Sequence, residues 1–297
     1  MNDLISSLQD SVNKVTDKYE VRLYGSRATN LCLKWSDLDV VITRKNPKTT
    51  QLPSTNLLDK LHIILKEQDW VKSIKYIITA KVPIIKLTTN DKYNSMQVDI
   101  SIEDHNHYGL KCVDLVKGYI NEYEVLEPLV FAAKTLLKLS CLNDPYKGGI
   151  SSYGIILMII SFIKKEKKKG KAITLNSLGD LFYEFLFFYG SNVNSNYVNV
   201  NEESNEIYNT MQPFDLLIVD PLNENNNVGK SAFQFFNIKV MFLIALQSIG
   251  EDCFCGCHYM STMRPNSGKK EEPCVHNVLR KMFNAVKRAV VNGNMMN

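Results

Sequence analysis

The chain has 297 residues, long enough for two domains of ordinary size. Its 45% apolar content supports packed cores and excludes a disordered protein, while a net charge of +4 permits a nucleic-acid partner without demanding one. No apolar segment follows a basic start, which argues against a secretory signal, and seven cysteines then point to a reducing compartment where thiols stay free or bind metal.

Leu4, Ile5, Leu8, Val12 and Val15 recur at helical spacing and predict a helix over 3–18. An apolar-polar lead-in from Val21 to Tyr24 runs into Gly25-Ser26, and twelve residues after Gly25 comes Asp37-Leu38-Asp39, continuing into Val40, Val41 and Ile42. The alternation predicts a strand that sends Asp37 and Asp39 to one face, their Cα atoms roughly 6.5–7 Å apart. Carboxylates that close repel unless positive charge lies between them, and a pair of divalent ions about 3.5–4 Å apart fits the gap. Gly25 allows close backbone approach to a ligand, and Ser26 offers a hydroxyl and an N–H to a phosphate. Each half is common by itself, the Asp-x-Asp as a pair of solvated acids on an edge strand. Together they point to a nucleoside triphosphate held on metal ions.

Residues 45–56 read as a polar loop and 56–70 as an amphipathic helix. Strands are predicted at 73–79 with 82–87, and at 96–102, so the first hundred or so residues form a small α/β unit. In the last strand Met96, Val98, Ile100 and Ile102 alternate with Gln97, Asp99, Ser101 and Glu103. Asp99 therefore lies on a polar face, either as one more exposed acid or as the third carboxylate of a nest for two Mg²⁺ ions.

From Leu110 onward helical patterns dominate, over 110–121, 125–142, 151–166, 175–189, 231–249 and 275–291. The apolar run 153–163 is too short to span a bilayer and reads as a buried helix. The lysine run 164–171 reads as a solvated helix end, with contact to RNA phosphates or a localisation signal as alternatives. The Asn-rich stretch 191–209 reads as a surface loop. Cys253, Cys255, Cys257, His258, Cys274 and His276 offer enough ligands for one Zn²⁺, but they lack the C-x₂₋₄-C pairs of structural sites, so free thiols are the preferred reading.

Gly-Ser, a downstream Asp-x-Asp and a later lone Asp resemble the signature of the DNA polymerase β nucleotidyltransferase superfamily. Three later segments, GGISSYGIILMIISFI (148–163), LFYEFLFFYG (181–190) and DPLNENNNVGKSAFQFFNIKVMF (220–242), resemble the non-canonical poly(A) polymerases, catalytic subunits of nuclear RNA-surveillance polyadenylation complexes. The similarity covers roughly 20–45, 94–166, 178–190 and 214–249, in order.

The resemblance implies a two-domain α+β nucleotidyltransferase with the active-site cleft between its domains. A palm-like mixed α/β catalytic domain would span 19–109, and a mostly helical poly(A) polymerase-associated domain 110–297, with helix 1–18 packing on the latter. Asp37 and Asp39 would hold both Mg²⁺ (or Mn²⁺) ions, Asp99 would complete one of them near the attacking hydroxyl, and Gly25 and Ser26 would contact the triphosphate of ATP. Lys134 and Lys138, four apart on one helical face, match phosphate-gripping lysines. Ser152 and Tyr153 match a pair whose hydroxyl meets phosphate and whose ring stacks on the base.

Asp220 and the loop Asn225-Asn226-Asn227 match the base-reading region. Uridylyl-transferring relatives carry a His at the position of Asn226, where its bulk would obstruct a purine, so Asn favours ATP. Three asparagines also simply favour a turn. Cys112 and Val113 stand where some relatives place an Asn-Thr pair on the ribose. The function implied is adenylyl transfer to an RNA 3′ end, in the nucleus or the cytoplasm, with a zinc-knuckle protein delivering RNA, a helicase as a further partner and no membrane. Uridylyl transfer and a catalytically silent scaffold are the alternatives.

Overall fold

Alternation of apolar and polar residues along β2 and β5 decides where everything else in the first part of the chain must go. The computed structural model describes residues 1–46, 54–79, 82–103, 107–191, 193–201 and 215–250. It divides into two units at Gly118 and Tyr119, within a helix rather than at the 109–110 boundary expected from sequence.

In chain order the first unit contains α1 (Asn2–Val15), β1 (Tyr19–Tyr24), the four-residue α2 (Gly25–Ala28), β2 (Leu38–Arg44), α3 (Ser54–Lys66), β3 (Val71–Ile77), β4 (Ile84–Thr89), β5 (Gln97–Ile102) and the start of α4 (Gly109–Glu122). The strands form one sheet in the order β1-β2-β5-β4-β3. Only β2 and β5 run parallel; the other neighbours are antiparallel. That parallel pair needs a crossover, which α3, β3 and β4 supply.

Leu38, Val40 and Ile42 of β2 face the same way as Val98, Ile100 and Ile102 of β5 and Ile85 and Leu87 of β4, and all are buried. Leu4, Leu8 and Val12 of α1 and Leu57, Leu58, Leu61 and Leu65 of α3 complete this core. The N-terminal helix thus packs on the sheet, not on the helical part as expected from sequence. Its Leu4-Leu8-Val12 stripe meets the apolar face next to it in the chain, and the three residues 16–18 joining α1 to β1 give it no reach to go elsewhere.

The second unit holds the end of α4, then α5 (Leu126–Leu139), α6 (Ser152–Lys168), α7 (Leu178–Ser191), a small sheet and α8 (Phe235–Gly250). α6 is buried from Gly154 through Ile163, as its uninterrupted apolar run demands, and among the described residues no helix is long and apolar enough to cross a membrane. Phe162 of this helix meets Phe185, which packs in turn on Tyr189 and Phe242, and the Tyr189 hydroxyl donates to the Met158 carbonyl at 3.0 Å.

The small sheet joins β6 (Tyr197–Val198), β7 (Leu217–Asp220) and β8 (Asn223–Asn227) in that order. The described part of the Asn-rich stretch is therefore not a loose surface loop. Val198 and Val200 are buried, and Ser195 is buried too, donating to the Tyr189 carbonyl and accepting from Lys239 Nζ at 2.9 Å. Burial pushes the Lys239 ammonium down to about 8.

The lysine run ends α6 with Lys167, Lys168 and Lys169 exposed, while its other members are tied into the fold. Lys164 donates to Tyr119 Oη at 3.1 Å and to the Val200 carbonyl at 2.8 Å, while Lys165 and Lys167 lie over the rings of Phe188 and Tyr123. Lys169 and Lys171 flank the buried Glu166. The cysteine-histidine cluster of 253–276 and the helix expected at 275–291 lie outside the described residues.

Because α3 buries a full leucine stripe, Leu58→Ala is expected to lower the unfolding free energy by about 2–5 kcal/mol. Urea denaturation followed by circular dichroism checks this, and a loss below about 1 kcal/mol would contradict the packing described.

Candidate active site

One row of the sheet carries the chemistry. Tyr24, Asp39, Asp99 and Lys86 are register partners across β1, β2, β5 and β4, so all four side chains leave the sheet on one face, opposite the apolar core. Asp39 and Asp99 stand directly beside each other on parallel strands, about 4.7–4.9 Å apart along the hydrogen-bonding direction. Lys86 Nζ donates to Asp99 Oδ2 at 2.5 Å, placing a cation beside one member of the acidic pair.

Gly25 shows why this position tolerates no side chain. Its φ is +66°, and a Cβ there would lie 2.2 Å from Asp39 Oδ2, so the glycine lets the α2 backbone rest directly on the carboxylate. Ser26 follows, half-buried in α2. Thr29 Oγ1 donates to the Ser26 carbonyl at 3.1 Å, and Arg27 donates to the carbonyls of Ser36 and Asp37 at 2.7 and 3.3 Å. Arg27 thus clamps the segment that delivers Asp39 to the sheet.

Asp37 departs from expectation. β2 starts at Leu38, so Asp37 precedes the strand and is exposed rather than sharing a strand face with Asp39. Among the described residues no three His, Cys, Asp or Glu side chains gather into one metal-holding group. Lys86 places a positive charge beside Asp99, which lessens its repulsion with Asp39. The oxygen donors of Asp39 and Asp99, with Asp37 next in the chain, nonetheless suit hard divalent cations.

Tyr24 lies at the end of the row. Its ring meets His107 edge-on with centroids 5.0 Å apart, and Ser101, one alternation beyond Asp99, hydrogen-bonds with His107 Nε2 at 3.0 Å. Burial, with the Asp39 charge second, pushes the Tyr24 phenol up to about 12. Sequence reading had missed Tyr24, Arg27 and Lys86. The available signal for Lys86 was its position between Ile85 and Leu87, on the polar face of a strand.

The candidates of the second unit sit on helix α5, on the start of α6 and on the β7–β8 hairpin. Lys134 and Lys138 are one turn apart on α5, the first buried with 7% exposure and the second exposed. Ser151, not Ser152, caps α6 by accepting from the Gly154 N–H at 3.0 Å; Ser152 is exposed at the first helical position and Tyr153 is half-buried.

Asp220, at the end of β7, is only 4% exposed. Its Oδ1 accepts from the Leu222 N–H at 3.1 Å and the Tyr153 hydroxyl at 3.3 Å, and its Oδ2 accepts from Asn226 Nδ2 at 2.9 Å. Asn227 braces the hairpin, accepting from the N–H groups of Ile218 and Gly229 and donating to the Leu216 carbonyl. These side-chain bonds hold as a strand a segment whose asparagines have little intrinsic preference for one.

Gly25→Ala is expected to cost roughly 1–2 kcal/mol from the left-handed backbone alone and, by displacing the Asp39 carboxylate, to weaken Mn²⁺ binding. Urea unfolding and calorimetric Mn²⁺ titration check both, and wild-type Mn²⁺ affinity in the variant would contradict the contact.

For Tyr24 the fold favours the neutral phenol. Its contribution to stability is complete below about pH 10, the unfolded value, and is lost as pH rises through about 12. Ultraviolet phenolate titration should show Tyr24→Phe removing one late-ionising tyrosine and Asp39→Asn shifting one to lower pH. Identical curves for all three proteins would count against the arrangement.

Residues 1–121 match the family described as "Poly(A) RNA polymerase, mitochondrial-like, central palm domain". The chain is 28% identical over 267 residues to poly(A) RNA polymerase protein 1 of Eremothecium gossypii, covering 85% of this chain and 42% of that protein. It is 30% identical over 250 residues to poly(A) RNA polymerase cid14 of Schizosaccharomyces pombe, covering 80% of this chain and 36% of that protein. It therefore spans about two-fifths of the length of these curated relatives. The solved polymerase core of TRAMP, an RNA surveillance complex, superposes with a TM-score of 0.69 at 25% identity, covering 83% of this chain and 78% of that one. Residues 1–121 thus match the central palm domain of that family, and the chain as a whole is similar in sequence to poly(A) RNA polymerases and in fold to a solved polymerase core.

Proposed function

We propose that the chain is a template-independent RNA 3′-end adenylyltransferase that uses ATP. The observation that carries this reading is the register pairing of Asp39 with Asp99, with the Gly25 backbone resting on Asp39. A glycine turn laid against paired acids suits a triphosphate brought in with divalent cations. Asp37, Asp39 and Asp99 are the residues that would hold two Mg²⁺ or Mn²⁺ ions, which when bound lower the charge on the phosphates and activate the hydroxyl.

In the reaction the RNA 3′-hydroxyl attacks the α-phosphorus of ATP. A new phosphodiester bond forms as the bond to the leaving pyrophosphate breaks, and the hydroxyl gives up its proton. Gly25 and Ser26 offer backbone and hydroxyl groups to the triphosphate. Lys134 and Lys138 neutralise it, and Ser152 meets a phosphate oxygen at the start of α6, where helix N–H groups favour anions. Lys86 holds Asp99 in place until the charge of the substrate complex arrives. Tyr153 stacks on the base, a contact of about 1–3 kcal/mol that tolerates any base, while Asn226 leaves room for a purine.

The reading includes an RNA-binding partner protein that delivers the 3′ end. The TRAMP polymerase core, which belongs to an RNA surveillance complex, supports a setting of that kind.

The test incubates the purified chain with an RNA primer, Mg²⁺ and each of the four labelled nucleotides. ATP is expected to extend the primer, and Asp39→Ala or Asp99→Ala should abolish extension while leaving the circular dichroism spectrum unchanged. Extension at the wild-type rate in either variant would sink the proposal. Preferential use of UTP would instead assign uridylyl transfer, and a folded wild-type chain that neither extends the primer nor binds a nucleotide with Mg²⁺ would assign a scaffold.

A further inference from the structure

We infer that Trp35 is a stacking platform for an unpaired base of the RNA acceptor, with Lys34 beside it to meet a phosphate. This deepens the adenylyl-transfer reading and rests on it for bringing an RNA 3′ end to the carboxylates.

The connection between α2 and β2 is pinned at both ends by Leu31 and Leu38, each fully buried. Between them the Ser36 N–H donates to the Leu33 carbonyl at 2.9 Å, and the Leu33 N–H donates to Ser36 Oγ at 2.9 Å. These bonds close a tight turn whose two central residues are Lys34 and Trp35. Arg27 holds the turn from outside, donating to the Ser36 carbonyl at 2.7 Å.

Central turn positions favour Gly, Pro, Asn, Asp or Ser, each of which helps to shape the backbone. An indole does not help to shape this turn, whose bonds come from backbone groups, Ser36 and Arg27. Yet Trp35 stands there 50% exposed, while the chain's other tryptophan, Trp70, packs partly buried and edge-on to Tyr93. Apolar area left in water forgoes the stabilisation that burial brings. The fold thus presents a large flat apolar face to solvent on a backbone fixed by hydrogen bonds.

The position of that face gives it a use. Trp35 lies two residues before Asp37, so their Cα atoms are at most about 7 Å apart. The ring is therefore within reach of a nucleotide whose 3′-hydroxyl is held at the carboxylates. Acids that attract metal ions repel the phosphates of an approaching strand, and a contact that does not depend on charge offsets this. Stacking is such a contact, and because every base has a π-face it reads no sequence. Lys34 is exposed and supplies a compact cation next to the ring. That cation and the nearby carboxylates favour nucleic acid over a protein surface as the occupant of the indole.

The experiment uses the full chain carrying Trp70→Phe, in which Trp35 is the only tryptophan left. Titration at low salt with short oligoadenylate or oligouridylate is expected to quench its emission to a similar extent. Saturating α,β-methylene ATP with Mg²⁺ and no RNA should leave the emission unchanged. Trp35→Ala should weaken oligonucleotide binding, measured by anisotropy of a labelled strand, by about tenfold or more. Its calorimetric affinity for the ATP analogue should stay at the wild-type value, and Trp35→Phe should recover most of the RNA affinity. Lys34→Gln should reduce the slope of log affinity against log salt by about 0.7.

Oligonucleotide binding that leaves Trp35 emission unchanged would overturn the inference, as would wild-type RNA affinity in Trp35→Ala. Quenching by the ATP analogue alone would overturn it too, because the ring would then belong to the nucleotide. If these results appear while the wild-type chain extends RNA with ATP, the adenylyl-transfer reading survives without the platform. If Trp35 is quenched by RNA and its loss weakens binding, but no nucleotide is transferred, that reading fails and this inference stands. A folded chain that binds no oligonucleotide at low salt overturns the inference.

Discussion

Two carboxylates held side by side on parallel strands are the constraint around which the first unit is organised. Asp39 and Asp99 share a register position on β2 and β5, a pairing that exists only because the chain leaves the sheet through α3, β3 and β4 and returns in the same direction. Their proximity has to be compensated locally. Lys86 arrives on β4 at the same register level, and the phenol of Tyr24 on β1 stays neutral beside Asp39. Gly25 then brings backbone against the carboxylate where any side chain would collide with it. The opposite face of the same strands is mainly apolar and is covered by α1 and α3, so the row is packed from behind and polar in front.

The second unit handles buried charge by collecting donors around single acids. Asp220 gathers a backbone N–H, a tyrosine hydroxyl and an asparagine amide, and Glu166 is flanked by Lys169 and Lys171 at the end of α6. Both follow from the cost of leaving a buried carboxylate unsatisfied, which exceeds the modest net gain of any one hydrogen bond. The lysine run forms the solvated end of α6 that its sequence suggests, with Lys167, Lys168 and Lys169 exposed, yet Lys164 and Lys165 are drawn into the packing, on the Val200 carbonyl and over the Phe188 ring.

Much of this was legible because periodicity reports burial directly. The strands around Asp39 and Asp99, the stripes of α1 and α3 and the buried run of α6 each follow from spacing alone. Three features were not legible. Asp37 reads as a strand residue because Asp-Leu-Asp-Val alternates, yet Arg27 holds the carbonyls of Ser36 and Asp37 ahead of the strand, which begins one residue later. The hairpin of Asn223–Asn227 contradicts local propensity, because the Asn227 side chain stands in for ladder bonds that the backbone alone does not complete. The described part of the Asn-rich stretch is drawn into the interior by Val198 and Val200, two apolar residues too few to register as a pattern.

The chain by itself determined the residue types of the site, the strand faces on which Asp39 and Asp99 lie, and the order of motifs that resembles the non-canonical poly(A) polymerases. Those are local properties, set by a period of two or 3.6 residues and by spacing along the backbone. Only the tertiary structure decided that Asp99 is paired with Lys86, that Ser151 rather than Ser152 caps α6, and that Asp220 joins Tyr153 to Asn226. Of these, the Lys86–Asp99 pairing and the Tyr153–Asp220 bond join residues 13 and 67 positions apart, so strand register and helix placement, not spacing, had to bring them within hydrogen-bond reach.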